Sequence, residues 1–106
     1  MPKYLIKASY TAEGVKGVMK DGGTKRRQAA EAALKSTGDT LEAFYFAFGD
    51  ADALVIVDAP DNASIAAASM AIGASGLVSC KTVVLLTPEE IDQAVKKGAT
   101  YTPPGR

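Results

Sequence analysis

The stretch "LEAFYFAFGDADALVIVD", Leu41–Asp58, sets two strand-like runs around a short turn signal. Strict alternation over Leu41–Phe48 sends Glu42, Phe44, Phe46 and Phe48 to one side and Leu41, Ala43, Tyr45 and Ala47 to the other. Gly49–Ala51 supplies turn residues. Asp52–Asp58 carries the apolar run "ALVIV", which suits a central strand covered on both faces. The two runs therefore read as a β-hairpin. Paired carboxylates at Asp50 and Asp52 could bind a cation or act as general acid and base. With no third oxygen ligand nearby in sequence they read as a bend, Asp50 bonding its own backbone and Asp52 opening the strand.

Upstream, Lys3–Tyr10 alternates, with Tyr4, Ile6 and Ala8 on one side and Leu5, Lys7 and Ser9 on the other, as a half-buried strand does. Thr11 can cap a short helix over Ala12–Lys20, in which Val15, Val18 and Met19 share a face, and Asp21–Gly23 interrupts it. Thr24 starts a second helix, with Ala29, Ala30, Ala33 and Leu34 as its inner stripe and Gly38 as its stop. Downstream, Asn62–Gly76 is an alanine-rich helix with Ile65, Ser69, Ile72 and Gly76 at helical spacing, and Leu77–Leu86 is a fourth strand. "TPEE", Thr87–Glu90, combines a capping threonine, a proline at the first helical position and a glutamate that closes a capping box. That last helix runs to Gly98, and residues 98–106 form a tail in which Pro103 and Pro104 forbid further regular structure.

The order is strand, helix, strand, strand, helix, strand, with an extra C-terminal helix. This is the split βαββαβ pattern of a ferredoxin-like α+β fold, whose crossovers place both main helices on one face of a four-stranded antiparallel sheet. The opposite face is left bare. If it carries Phe44, Phe46 and Phe48, each ring exposes on the order of 150–250 Å². A second copy stacked sheet to sheet would cover them, so a homodimer or higher homo-oligomer is expected.

Length and composition fit that reading. The 106 residues make one domain, 1–106, and twelve Lys+Arg balance twelve Asp+Glu. A nucleic-acid binder carries a basic excess, and none is present. The start "MPKYLIKASY" lacks a signal-peptide pattern and no apolar run approaches the ~18 residues of a spanning helix, so a cytoplasmic location without membrane contact is expected. The chain has no histidine, which removes the usual neutral-pH base and metal ligand, and Cys80 is its single cysteine. No metal and no cofactor are expected.

Three groups of residues stand out as candidate sites. Lys7, Glu42 and Lys81 are charges inside strands; with Ser9, Phe44 and Phe46 they could line a cavity for an acidic or carbonyl-bearing ligand, or form a structural ion pair at a subunit contact. "DGGTKRR", Asp21–Arg27, offers Thr24, Arg26 and Arg27 to an anion at a helix start, though the Gly-x-x-x-x-Gly-Lys spacing of a Walker loop is absent. Cys80 reads as a small buried hydrophobe. Among the tyrosines, Tyr45 is expected to pack beneath a helix.

The aromatic-rich strand, the Gly–acid–x–Asp turn, "VIVDAPD" (Val55–Asp61) and "TPEE" together resemble the GYD-domain family. These are small bacterial proteins named for a Gly-Tyr-Asp element before the third strand. The likeness runs from Lys3 to about Glu90. Gly49 and Asp52 match the family's Gly and Asp, and Ala51 stands at the tyrosine position. The resemblance implies a dimeric α/β-barrel of ferredoxin-like fold and little about activity. Relatives in the wider barrel superfamily include cofactor-poor monooxygenases, haem-degrading enzymes and stress-responsive proteins, a likeness of fold alone. The expectation is a small homo-oligomeric protein that binds a small organic ligand in the barrel or at the subunit interface. One alternative is a cofactor-independent oxygenase or isomerase with Lys7, Glu42 or a tyrosine as base. The other is a purely structural assembly protein.

Overall fold

The computed structural model describes residues 2–106. Its elements are β1 (Lys3–Tyr10), α1 (Ala12–Asp21), α2 (Gly23–Ser36), β2 (Thr40–Phe46), β3 (Ala53–Asp58), α3 (Asn62–Gly73), β4 (Val78–Leu85) and α4 (Pro88–Lys97). The strands form one antiparallel sheet in the order β2-β3-β1-β4, the arrangement expected of a split βαββαβ chain. The first crossover is divided into two helices, where a single helix would suffice.

Local chemistry accounts for most of the boundaries. The Thr11 side chain accepts from the Gly14 amide and the Asp61 side chain from the Ser64 amide, so α1 and α3 begin on side-chain caps. Gly22, at φ +81°, ends α1 and begins α2; a left-handed backbone there suits only glycine. Thr87 and Glu90 form the reciprocal capping box that "TPEE" foretold. Gly14 has a different reason to lack a side chain: a Cβ would sit 2.3 Å from the Leu77 carbonyl oxygen, which also accepts from the Thr11 amide.

The face beneath the helices carries Tyr4, Ile6 and Ala8 of β1 and Ala53, Val55 and Val57 of β3, all buried. Leu34 of α2 and Ile65 and Ala68 of α3 close over them. At the rim, Asp39 is a buried carboxylate at 2% exposure. It accepts from the Thr37 hydroxyl at 2.6 Å and the Ser64 hydroxyl at 2.5 Å, joining the end of α2 to α3.

The phenylalanine row corrects the alternation argument. Strand β2 contains a bulge between Leu41 and Ala43: Leu41 pairs with Val57, yet Phe44 pairs with Val55 and Phe46 with Ala53. One extra residue in a strand reverses the side on which all later residues lie. Leu41 and, after the bulge, Phe44 and Phe46 therefore all face the helices, and Glu42 is looped out. Phe44 packs against the core and meets Phe46 edge to face, ring centres 5.2 Å apart. Phe48 lies beyond the end of β2 and is fully exposed. Tyr45, expected beneath a helix, stands on the outer face at 67% exposure.

The outer face is mixed: Lys3, Lys7, Ser9, Ser79 and Lys81 lie on it, and a different set of residues gives it an apolar patch. The register places Leu5, Leu54, Ile56 and Val83 there beside Tyr45. Helix α4 is equally bare. Every residue from Leu86 to Arg106 is exposed, although Ile91 and Val95 form an apolar stripe one turn apart. Among the described residues no helix is long and apolar enough to cross a membrane.

Candidate ligand cavity

Between the sheet and the α2–α3 layer lies a cavity of about 190 Å³. Its floor is Ile6, Ala8, Val55 and Phe44, and its roof is the alanine stripe Ala29, Ala30 and Ala33 with Ile72. Small side chains on both walls leave this space. Three alanines on the inner face of α2 meet a sheet whose strands also offer Ala8 and Ala53, and methyl groups cannot fill what leucines would. A void of ~150 Å³ walled by aliphatic and aromatic side chains stays dry and takes up benzene. This one is larger, walled mostly by the same kinds of side chain, and partly open to solvent.

Polarity is concentrated at one end. Tyr10, at the C-terminal end of β1, and Arg26, in the second turn of α2, both line the space, and Arg26 is the single charged residue among the lining set. Its guanidinium lies 3.4 Å from Asp21 Oδ2, a long contact that leaves most of its N–H donors uncommitted. Burial pushes the Tyr10 phenol above its ordinary pKa of 10.0, with the nearby Arg26 cation pulling the other way, so at neutral pH the group is a donor. Ser75 also borders the cavity, but its hydroxyl donates to the Ile72 carbonyl at 2.7 Å and accepts from the Leu77 amide. Cys80 lies in the wall, a free thiol that burial pushes up from 9.0.

A second, more open groove of about 470 Å³ shares Tyr10 with the first. Val15 and Val18 of α1, Phe46, Phe48 and Asp52 line it. Asp52 is committed: its carboxylate accepts from the Tyr10 amide at 2.8 Å, and its own amide donates to the Ala8 carbonyl. The acid thus pins the hairpin turn to the end of β1. Asp50 is exposed. Neighbouring Ala51 is buried at 6% exposure, so alanine at this position is part of the packed turn.

The sequence-predicted residues divide into separate places. Lys7 and Lys81 are cross-strand partners, as are Ser9 and Ser79, and this group lies on the outer face. Glu42 is at the far end of the sheet, where Lys3 bonds to it at 2.8 Å and to Asp58 at 2.9 Å. Those two carboxylates, Glu42 first, raise the Lys3 pKa above 10.5. Phe44 and Phe46 are on the inner face. A cavity shared by Lys7, Glu42 and Phe44 is therefore ruled out by the bulge. Of the anion candidates, Arg26 turns to the cavity, whereas Thr24 and Arg27 are exposed. In the sequence Tyr10 is one of four tyrosines able to offer a phenol to a ligand, and the alanine roof is a helix face. Sheet register and helix placement bring them together.

A four-stranded antiparallel sheet, helices on one face, and an apolar cavity between the layers define an α+β domain of ferredoxin-like type. The chain matches the GYD domain over residues 4–95, and it belongs to that family. No curated protein matches it.

Proposed function

We propose that this protein is a homo-oligomeric binding module that holds a small organic ligand between its sheet and its helices. The observation that carries the reading is the cavity of about 190 Å³ with apolar walls and one polar end. Spaces of this shape, with few polar groups converging at one point, are the usual form of small-molecule sites.

Self-association has separate support. Leu5, Leu54, Ile56, Val83 and Tyr45 form an apolar patch on the outer sheet face, beside Lys7 and Lys81, and α4 carries an exposed apolar stripe. Contiguous exposed apolar surface marks contact sites, and a net charge of zero puts up no general repulsion between copies. Lys7 and Lys81 face each other on that surface, where like charges directly opposite repel. An acid from a second copy, or an anionic ligand bound between copies alongside Ser9, relieves that repulsion.

Native mass spectrometry of the gently purified protein tests both parts together. The expected spectrum shows dimers or larger assemblies, some retaining a small-molecule mass that collisional activation releases. The Ile56→Lys variant is expected to run as a monomer. A bare monomer from the unaltered chain would refute the proposal.

A further inference from the structure

Resting on the ligand-binding reading above, we infer that the ligand is a small organic monoacid, its anionic head at Arg26 and Tyr10 and its apolar body under Ala30 and Ala33. Four observations lead there. The cavity walls are aliphatic and aromatic from Ile6 to Phe44, so the body of the ligand is apolar. The volume exceeds the ~150 Å³ that accommodates benzene, so one ring with a short substituent fits.

The polar end selects the head group. Arg26 and the Tyr10 phenol both present donors, and neither presents the negative charge that a cationic ligand would need. A planar guanidinium matches a carboxylate with two parallel N–H···O bonds, a charge-assisted arrangement about twice as strong as a neutral one. The Tyr10 hydroxyl supplies a further donor to the same oxygens.

The count of cations limits the charge. Lys25, 3.8 Å from Asp21, and Arg27 both lie in the exposed part of α2, and only Arg26 reaches the lining. Asp21 already stands beside Arg26 at 3.4 Å and offsets part of its charge, and among the described residues no second cation lines the cavity to meet the second charge of a phosphate. One guanidinium suits one carboxylate. Thr24 and Arg27, which the helix-start argument grouped with Arg26, have no part in this site.

Benzoate and benzamide have nearly the same shape and differ in charge, and titration calorimetry of the full chain with each separates the possibilities. The expected result is benzoate binding at least tenfold more tightly than benzamide. In the Arg26→Gln variant the benzoate affinity falls to the benzamide level while benzamide is unaffected, and Arg26→Lys recovers part of the preference. Circular dichroism checks that each variant keeps its fold. Equal affinities of the unaltered protein for the two probes would overturn the acid assignment and leave the ligand-binding reading standing. So would an unchanged preference in Arg26→Gln. Failure of both probes to bind, with no chemical-shift change at Ala30, Ala33 or Phe44, would overturn the inference and the cavity reading together.

Discussion

Replacing Ala30 by leucine fills part of the cavity from its roof, and two independent lines of reasoning give the size of the effect. Leucine adds three carbons, worth about 2.4 kcal/mol at ~0.8 kcal/mol per buried methylene. Ordering the new side chain costs about 0.5–1 kcal/mol. An upper bound comes from the cost of sealed core volume, roughly 24 cal/mol per Å³: filling about a third of 190 Å³ is worth at most about 1.5 kcal/mol, because this space is partly open to solvent. Both set the gain at up to about 1.5 kcal/mol. Helix propensity barely changes between alanine and leucine, so α2 itself is indifferent to the exchange. At ~4–8 °C per kcal/mol for a domain of this class, the melting temperature rises by up to roughly 6–12 °C. Thermal unfolding followed by circular dichroism measures this, and the same variant is titrated with benzoate. The expected outcome is a more stable protein that no longer binds, the trade that follows when a void is kept for function. A variant that melts lower than the parent, or that binds benzoate as before, would refute the description of this space as an empty, fillable ligand site.

Three further predictions concern the frame around the site. Asp39→Ala removes two hydrogen bonds to a buried carboxylate, and urea titration is expected to show a loss of about 3 kcal/mol, with Asp39→Asn recovering part of it. Gly14→Ala drives a methyl into the Leu77 carbonyl, so the packing of α1 must shift; the expected loss is about 1–3 kcal/mol, and an unaltered urea midpoint would contradict the close approach. The third is a pH effect at Cys80, whose folded pKa is raised above the unfolded value of 9.0 by burial. The stabilisation tied to this thiol is complete below pH 9.0 and declines as pH rises towards the folded pKa, because the unfolded chain gives up the proton first. The urea midpoint of the parent should therefore fall more steeply between about pH 9 and 10 than that of Cys80→Ala, before Tyr10 begins to contribute above 10.0.

Most of the fold was legible because its signals are local. Thr11 and "TPEE" act within one helical turn, and the alternation of Lys3–Tyr10 carries through all eight residues of β1 to give Tyr4, Ile6 and Ala8 as core. The face of the phenylalanines was not legible, since it hangs on where β2 slips against β3. Both Leu41 and Phe44 bury by facing the helices, and the chain satisfies both by expelling Glu42, which then bonds to Lys3 from the neighbouring end of the sheet. No pattern within β2 announces that slip. The cavity was hidden for a related reason: an alanine stripe reads only as a helix face, and the placement of α2 and α3 over the sheet decides what lies opposite it. Arg26, singled out as one of three anion candidates, is the one that helix rotation turns inward.

Helix α4 bears on how this chain responds to dilution. Ten residues are too few to hold a helix in water on propensity and capping alone, and among the described residues none shelters Ile91 or Val95. On the self-association proposed above, its helical content becomes a matter of mass action, high where neighbouring molecules are plentiful and fading as they separate. A concentration series would read the ordering of this limb as a gauge of encounter between copies.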